Sequence, residues 1–229
     1  MRPWQGPRPR AVLFDLDGTL IDTAEDIALA LNRTLAAPGV APVPLATVRG
    51  LIGRGAAALI ARALQSRGQC ADEARVGELF AQFIRQYARL LERGESRALP
   101  YPGAGEALRA LAVAGVRLAV VTNKARQLAL DTLTRAGLGA ELQLVVGGDS
   151  CARRKPDPEP LLYACGQLGV AATAALMVGD SVNDVLAARA AGMPVLCVPY
   201  GYNEGVDPRT LACDGFVENL TELPKLLQA

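Results

Sequence analysis

The sequence contains no histidine among its 229 residues. That absence excludes the serine–histidine–acid triad, the cysteine–histidine pair, histidine-ligated zinc and an imidazole general base. Lysine is also scarce, because it occurs only at Lys124, Lys155 and Lys225, and each of the three is therefore a candidate for a specific role. Any catalytic chemistry must rest on carboxylates, hydroxyls, lysines or thiols.

Cysteine is limited to five residues, and no two of them stand in a C-x-x-C spacing. An odd, scattered set indicates reduced thiols rather than a disulfide framework or a thiolate metal site. The sequence has no run of about 18 apolar residues that could span a bilayer. Residues 1–10 carry three arginines and three prolines and lack the apolar stretch of a signal peptide. We therefore expect a soluble, cytoplasmic protein.

Neither sign of charge is in excess, because 24 Lys and Arg residues face 23 Asp and Glu residues, for a formal net charge of +1. This balance gives no basis for a general affinity for nucleic acid or for an anionic membrane. The expected partner is a small molecule, and the oligomeric state is open between monomer and homodimer. With 51% hydrophobic residues, the chain can bury a sizeable core.

Short apolar runs alternate with helical patterns along most of the chain. None of the runs alternates cleanly with polar residues, which is typical of strands that are covered on both faces. The order predicts an α/β fold with a doubly wound, Rossmann-like parallel sheet. The predicted strands are 11–16, 116–122, 142–146, 175–178 and 195–198, and the predicted helices between them are 105–114, 126–136, 159–168 and 182–190.

One stretch interrupts this alternation. Between residues 23 and 99 only helical patterns occur, at 23–37, 56–67 and 73–93, separated by segments that carry proline and glycine. We interpret 23–99 as a helical domain inserted after the first strand. The sheet domain then comprises residues 1–22 and 100–229.

Two aspartates stand one residue apart directly after the first strand, in F-D-L-D-G-T-L-I-D at 14–22. Residues two apart on a strand point to the same side, and ligands bind at the carboxyl ends of parallel strands. Two like charges at such a place are costly unless a cation or a shared proton compensates them. A hard divalent cation is the simplest compensation for Asp15 and Asp17, and the alternative is that they only cap a turn.

A second acidic segment, V-G-D-S-V-N-D at 178–184, places Asp180 and Asp184 across the start of a helix. Acidic residues there also gain from the helix dipole, so plain capping is an alternative. Together the two segments supply four carboxylates at the ends of two strands, with no histidine or cysteine nearby. That set of oxygen ligands suits Mg²⁺ rather than zinc.

Two further strand ends carry groups that suit a phosphate. Thr122 and Asn123 offer a hydroxyl, an amide and backbone N–H groups to an anion. Lys155, in R-R-K-P-D-P, stands in a segment stiffened by proline and could act as a fixed positive charge on phosphate. Taken singly, each is as readily an ordinary turn or a solvated loop. Their common position at strand ends favours one site.

These four segments, D-L-D-G-T at 15–19, V-T-N at 121–123, K-P-D at 155–157 and G-D-S-V-N-D at 179–184, resemble the signature motifs of the haloacid dehalogenase superfamily of phosphohydrolases. They stand in that family's order, and residues 23–99 match the family's cap domain. The presence of a second aspartate, Asp17, resembles the pattern of the phosphatases of the superfamily, whereas its dehalogenases lack an aspartate at this position. The resemblance therefore implies a phosphatase rather than a dehalogenase.

The resemblance also implies a role for each acidic residue. Asp15 is expected to attack phosphorus and form an aspartyl-phosphate, and Asp17 to serve as general acid and then as general base. Mg²⁺ is expected to be bound by Asp15, the backbone carbonyl of Asp17 and Asp180. Asp184 is expected to hold a metal-bound water or Lys155.

The same resemblance implies that the phosphoryl oxygens are bound by Thr122, the backbone of Asn123, and Lys155. Within the superfamily, I-G-R-G-A at 52–56 and P-Y-G-Y-N at 199–203 are similar to the bacterial phosphoglycolate phosphatase subfamily, which hydrolyses 2-phosphoglycolate to glycolate and phosphate. Arg54, and less directly Arg49, are candidates to pair with a carboxylate on a small organic phosphate.

Three alternatives remain open from the sequence. The nearest is a phosphatase or phosphomutase for another small phosphorylated metabolite or for pyrophosphate. A different class is a phospho-acceptor signalling module, in which phosphorylation of Asp15 is read out as a conformational change. The last is a catalytically silent binding protein, which the complete set of four motifs disfavours.

Overall fold

The computed structural model describes residues 6–228. Residues 1–5 and 229, which the sequence assigns to the sheet domain, lie outside the described residues. Residues 1–5 are the first half of the segment 1–10 that carries the three arginines. The strands are β1 Ala11–Phe14, β2 Ile21–Asp22, β3 Leu99–Pro100, β4 Arg117–Val121, β5 Leu144–Val146, β6 Ala175–Gly179, β7 Val195–Cys197 and β8 Gly215–Phe216. The α-helices are α1 Ala24–Ala36, α2 Leu45–Arg49, α3 Ala56–Ser66, α4 Glu73–Glu92, α5 Ala104–Val113, α6 Arg126–Ala136, α7 Glu159–Leu168, α8 Val182–Ala190 and α9 Leu223–Gln228. Of the helices in 6–228, none has both the length and the apolar composition needed to cross a membrane.

Six strands form one parallel sheet in the order β5-β4-β1-β6-β7-β8. The strand β1 lies inside the sheet, between β4 and β6, and Leu13 is paired with Ala119 on one side and Met177 on the other. Helical segments connect the strands, because two parallel strands can be joined only by a connection that crosses from the end of one to the start of the other. The doubly wound α/β fold predicted from the sequence is confirmed.

Both faces of this sheet are buried, because successive strand residues point to opposite sides. Val12 and Phe14 pack with α5, α6 and α9 on one face, whereas Ala11 and Leu13 pack with α7 and α8 on the other. All four residues of β1 are fully buried. A strand covered on both faces has no polar side, and this explains the unbroken apolar runs in the sequence.

A helical segment, α1 to α4 (residues 24–92), lies between β2 and β3. The chain enters and leaves it side by side, because β2 and β3 pair antiparallel, with Ile21 opposite Pro100 and Asp22 opposite Leu99. Helices α1, α3 and α4 bury their own apolar cluster. Leu31 belongs to this cluster and is fully buried. The assignment of residues 23–99 to a separate cap domain stays a prediction, and these contacts are consistent with it.

The structure differs from the predicted elements where they are shortest. The single-turn helix α2 and the two-residue strands β2, β3 and β8 were not predicted. The predicted strand 142–146 is formed only over Leu144–Val146. Such short elements contain too few residues to show the periodic spacing of apolar residues from which helices and strands are predicted. They depend on contacts with distant residues rather than on a local pattern.

Because the helical segment buries its own apolar cluster, shortening a side chain in that cluster should lower the free energy of unfolding substantially. Leu31 is fully buried where α1 packs on α4, so Leu31→Ala should lower the free energy of unfolding by about 3 kcal/mol. The matched control is Leu162→Ala on α7, where Leu162 is 46% exposed and the loss should stay below about 1 kcal/mol. Urea unfolding followed by circular dichroism measures both, and equal losses would contradict this packing.

Candidate active site

The site lies at the carboxyl ends of three neighbouring strands. Asp15 follows β1, Thr122 follows β4 and Asp180 follows β6, and these strands are adjacent in the sheet. The hydrogen-bond ladder continues into the site, because the backbone N–H groups of Asp15 and Thr122 donate to Val178 and Val146 at 2.9 Å each. The site residues are therefore held by the sheet itself.

Three aspartates converge there. The carboxylates of Asp15, Asp180 and Asp184 offer oxygens that all lie within 4.8 Å of one another, and all three residues are buried. The ammonium of Lys155 lies 2.9 Å from Asp15 Oδ1 and 2.6 Å from Asp184 Oδ1. The three carboxylates and the one ammonium carry a formal charge of minus two when all are ionised.

Burial makes this charge costly. It raises the pKa of Asp15 to about 6, although Lys155 opposes the shift, while Asp184 and Asp17 add to it. Burial also raises the pKa of Asp180 to about 8, with contributions from the charges of Asp15 and Asp184. Asp15 shares the ammonium of Lys155 with Asp184, and Asp180 has no positive partner among the described residues, so one divalent cation would supply the missing positive charge.

The hydrogen bonds show which carboxylates remain available to a cation. Asp184 Oδ2 accepts from the backbone N–H groups of Asp180 and Ser181 and from Ser181 Oγ, at 3.2, 3.0 and 2.8 Å. Its other oxygen accepts from Lys155. By contrast, the buried Asp15 Oδ1 accepts no hydrogen bond of good geometry. The donor set therefore fits a hard cation at Asp15 and Asp180, while Asp184 holds Lys155.

Asp180 is fixed by two donors and two close glycines. Its oxygens accept from Thr19 Oγ1 and from the backbone N–H of Tyr202, both at 2.8 Å. Gly18 has a φ of +91°, and a Cβ built there would lie 2.5 Å from Asp180 Oδ2. A Cβ on Gly201 would lie 2.1 Å from Asp180 Cβ. Glycine is therefore required at both positions for these loops to close on the carboxylate.

The carboxylate of Asp17 stands apart from this cluster. Its Oδ1 accepts from Thr23 Oγ1 at 2.6 Å and from Lys124 Nζ at 3.0 Å. The same ammonium donates to the hydroxyl of Tyr87 on α4 at 2.9 Å. The scarcity of lysine singled out Lys124, but no sequence pattern connects it to Tyr87, which is 37 residues away. The contacts of Lys124 with Asp17 and Tyr87 are features of the site that the sequence analysis missed.

Thr122, Asn123 and Lys155, the predicted phosphate ligands, lie together beside Asp15. The Asn123 amide donates to the carbonyls of Gly53 and Lys155, both at 2.9 Å. This side chain thus connects the loop before α3 to the loop that carries Lys155. The structure brings these residues into one place, and their roles stay predictions.

The two candidate arginines before α3 are each paired with an acidic residue. Arg54 Nε lies 2.6 Å from Glu204 Oε1, and Arg49 lies 2.8 Å from Asp22 Oδ2. The Arg54 side chain is 56% exposed, and it is not among the described residues that line the site cavity. Its role in substrate binding stays a prediction.

A cavity of about 300 Å³ opens from the carboxylates towards the helical segment. Asp15, Asp17, Thr122 and Asn123 form its polar end. Its cationic lining residues are Lys124 and Arg154, and the latter was not predicted. The remaining wall is mostly apolar and is formed by Ile27, Ile52, Leu59, Phe80, Phe83, Ile84 and Leu128.

Buried aspartates at the ends of parallel strands, a lysine between them and a cavity beneath a helical segment define a hydrolase of one known family. The model of the haloacid dehalogenase-like hydrolase family matches residues 12–198, and the chain belongs to that family.

Similar proteins narrow the resemblance further. The chain is 45% identical over 224 residues to the phosphoglycolate phosphatase of Nitrosospira multiformis, covering 96% of each chain. It is 48% identical over 217 residues to the plasmid phosphoglycolate phosphatase of Cupriavidus necator, covering 95% of this chain and 92% of that one. A solved structure from Haemophilus somnus, described as a predicted phosphoglycolate phosphatase, superimposes with a TM-score of 0.88 at 32% identity and covers 96% of this chain and 98% of its own.

The raised pKa values of Asp15 and Asp180 predict how pH acts on the metal-free protein. Between about pH 4 and pH 8 these two carboxyls hold more protons in the folded state than in the unfolded chain, so their contribution to the free energy of unfolding falls as pH rises. A divalent cation at these carboxylates would remove that cost. The gain in Tm from excess Mg²⁺ over chelator should therefore be larger at about pH 8.5 than at about pH 5.5.

Thermal unfolding at both pH values measures this difference. Asp180→Asn should abolish most of the gain, whereas Asp131→Asn, at a residue bonded to Gln127 on the surface of α6, should retain it. An equal gain at both pH values in the unaltered protein would contradict the prediction.

Proposed function

We propose that this protein is a Mg²⁺-dependent phosphomonoester hydrolase that converts 2-phosphoglycolate to glycolate and phosphate through an aspartyl-phosphate. The observation that carries the proposal is the cluster of three buried aspartates with the ammonium of Lys155 between Asp15 and Asp184, in which Asp15 also lines the cavity. The substrate is inferred from the relatives named phosphoglycolate phosphatase, at 45% and 48% identity.

In the first step, Asp15 attacks phosphorus and the bond from phosphorus to the ester oxygen breaks. Asp17 gives its proton to the departing alkoxide, which leaves as glycolate. In the second step, Asp17 takes a proton from water, and the water oxygen attacks phosphorus to release phosphate and regenerate Asp15. Thr23 and Lys124, which bind one oxygen of Asp17, hold its carboxyl away from the acidic cluster.

The phosphoryl oxygens bind Thr122, the backbone of Asn123 and Lys155 while charge builds on them. Lys155 is also held by Asp184, so it is fixed before substrate arrives. A fixed ammonium needs little reorganisation in the transition state, which is how such groups contribute most to rate.

Asp15, the backbone carbonyl of Asp17, and Asp180 would hold the cation. When bound, Mg²⁺ supplies positive charge that reduces the repulsion between a carboxylate nucleophile and a phosphate dianion. Residues 23–99 act as a cap that covers the cavity and excludes bulk water. The bond from Asn123 to Gly53 is one of the contacts between cap and sheet domain.

A second candidate is a phosphatase for a larger phosphorylated metabolite. The cavity of about 300 Å³ with a mostly apolar wall favours it, because phosphoglycolate is small and polar. Phosphate release from a panel of phosphorylated metabolites, with Mg²⁺ and with chelator, separates the two. We expect 2-phosphoglycolate among the best substrates and no turnover with chelator.

Replacement of the nucleophile tests the mechanism. Asp15→Asn should lower kcat by at least about 10⁴-fold while the circular dichroism spectrum is unchanged, because an amide cannot form the phosphorylated intermediate. The matched control is Asp131→Asn, which makes the same change on the surface of α6 and should retain full activity. Substantial turnover by the Asp15 variant would exclude the proposed covalent step.

A further inference from the structure

Of the two cations that line the cavity, one has an acidic partner and the other has none among residues 6–228. The ammonium of Lys124 lies 3.0 Å from Asp17 Oδ1. No carboxylate of a described residue forms a salt bridge with Arg154. Its neighbours in the chain differ, because Arg153 pairs with Asp157 at 3.1 Å and Lys155 with Asp15 and Asp184. Arg154 therefore retains its charge for a ligand.

The guanidinium of Arg154 is nevertheless held in place. Its Nε donates to the carbonyl of Gly148 at 2.8 Å, and the Gly148 backbone N–H donates to the carbonyl of Lys124 at 2.8 Å. Arg154 is thus anchored to the loop that follows β5, and that loop is itself hydrogen-bonded to the turn after β4, which carries Thr122 and Asn123. An arginine anchored through Nε still offers the N–H groups of its two terminal nitrogens to a ligand.

Arg154 also lies beside the loop that precedes α3. A Cβ built on Gly55 would lie 3.2 Å from Arg154 Nη1 and 3.0 Å from the carbonyl oxygen of Asn123. The terminal nitrogen is therefore close to both the phosphate-binding turn and the cap. Asp149 also lines the cavity, and its Oδ1 accepts a hydrogen bond from the backbone N–H of Arg126 at 2.7 Å.

We propose that Arg154 binds a second anionic group on the substrate and so selects phosphomonoesters that carry one. The proposal rests on the proposed phosphatase activity, and for 2-phosphoglycolate the second group is the carboxylate. Adjacent residues would then bind the two ends of a short substrate, Lys155 the phosphoryl group and Arg154 the other anion. The planar guanidinium can meet a carboxylate or a phosphate with two parallel hydrogen bonds.

Paired substrates test this assignment. 2-Phosphoglycolate is compared with ethyl phosphate, which has the same two-carbon chain but no carboxylate. In a second arm, propane-1,3-diyl bisphosphate is compared with propyl phosphate. Arg154→Ala should raise KM for the preferred ester with a second anionic group about 10- to 100-fold and leave kcat/KM for its counterpart without that group within about twofold.

Two variants serve as controls. Arg153→Ala removes the neighbouring arginine, whose side chain is 75% exposed, and it should leave KM and kcat/KM for both esters unchanged. Arg154→Lys keeps the charge but not the planar fork, and it should restore part of the preference. An equal loss on the esters with and without the second anionic group, or no loss on either, would overturn the role of Arg154.

The outcomes separate this inference from the proposed function. If the bisphosphate is preferred and Arg154→Ala removes that preference, the inference stands and 2-phosphoglycolate falls as the substrate. If the unaltered protein releases phosphate from no ester, the phosphatase proposal falls. Calorimetric titration with 2-phosphoglycolate then decides the role of Arg154, because an equal Kd for the unaltered protein and Arg154→Ala would overturn it.

Discussion

Buried negative charge at the end of the central strands is the constraint on which the rest of the site depends. Asp15, Asp180 and Asp184 are buried together, and the ammonium of Lys155 balances only one of the three charges. Isolated ions are expensive in a protein interior, so each must be paired or matched to a cation. Asp184 is satisfied within the chain, whereas Asp15 and Asp180 remain available to a ligand. The same imbalance that costs stability favours the binding of a cation.

The site is also the place where the helical segment and the sheet meet. The hydroxyl of Tyr202 accepts from the backbone N–H groups of Thr23 and Ala24, at the start of α1, and donates to Asp22 at 2.6 Å. The backbone N–H of the same tyrosine donates to Asp180. One residue therefore connects the acidic cluster to the first helix of the segment.

The sequence predicted the fold well where elements are long and the core is continuous. Buried strands such as β1 and β4 gave apolar runs, and the four motifs lay at strand ends that the sheet order makes neighbours. The prediction missed α2 and the two-residue strands, because these form only against distant partners. It also proposed Arg54 for the substrate without any means of knowing that Glu204, 150 residues later, lies 2.6 Å away.

Sequence alone indicated the class of chemistry: with no histidine, and with aspartates, threonine and lysine at strand ends, it predicted carboxylates as the reactive groups and a cation with oxygen ligands as their counterion. Only the tertiary structure decided how those charges are shared. Lys155 is shared between Asp184 and Asp15, Lys124 is bound to Asp17, and Arg154 keeps no acidic partner among residues 6–228. The physical reason is that ion pairing depends on distances of a few ångströms between residues far apart in the chain, which local patterns do not encode.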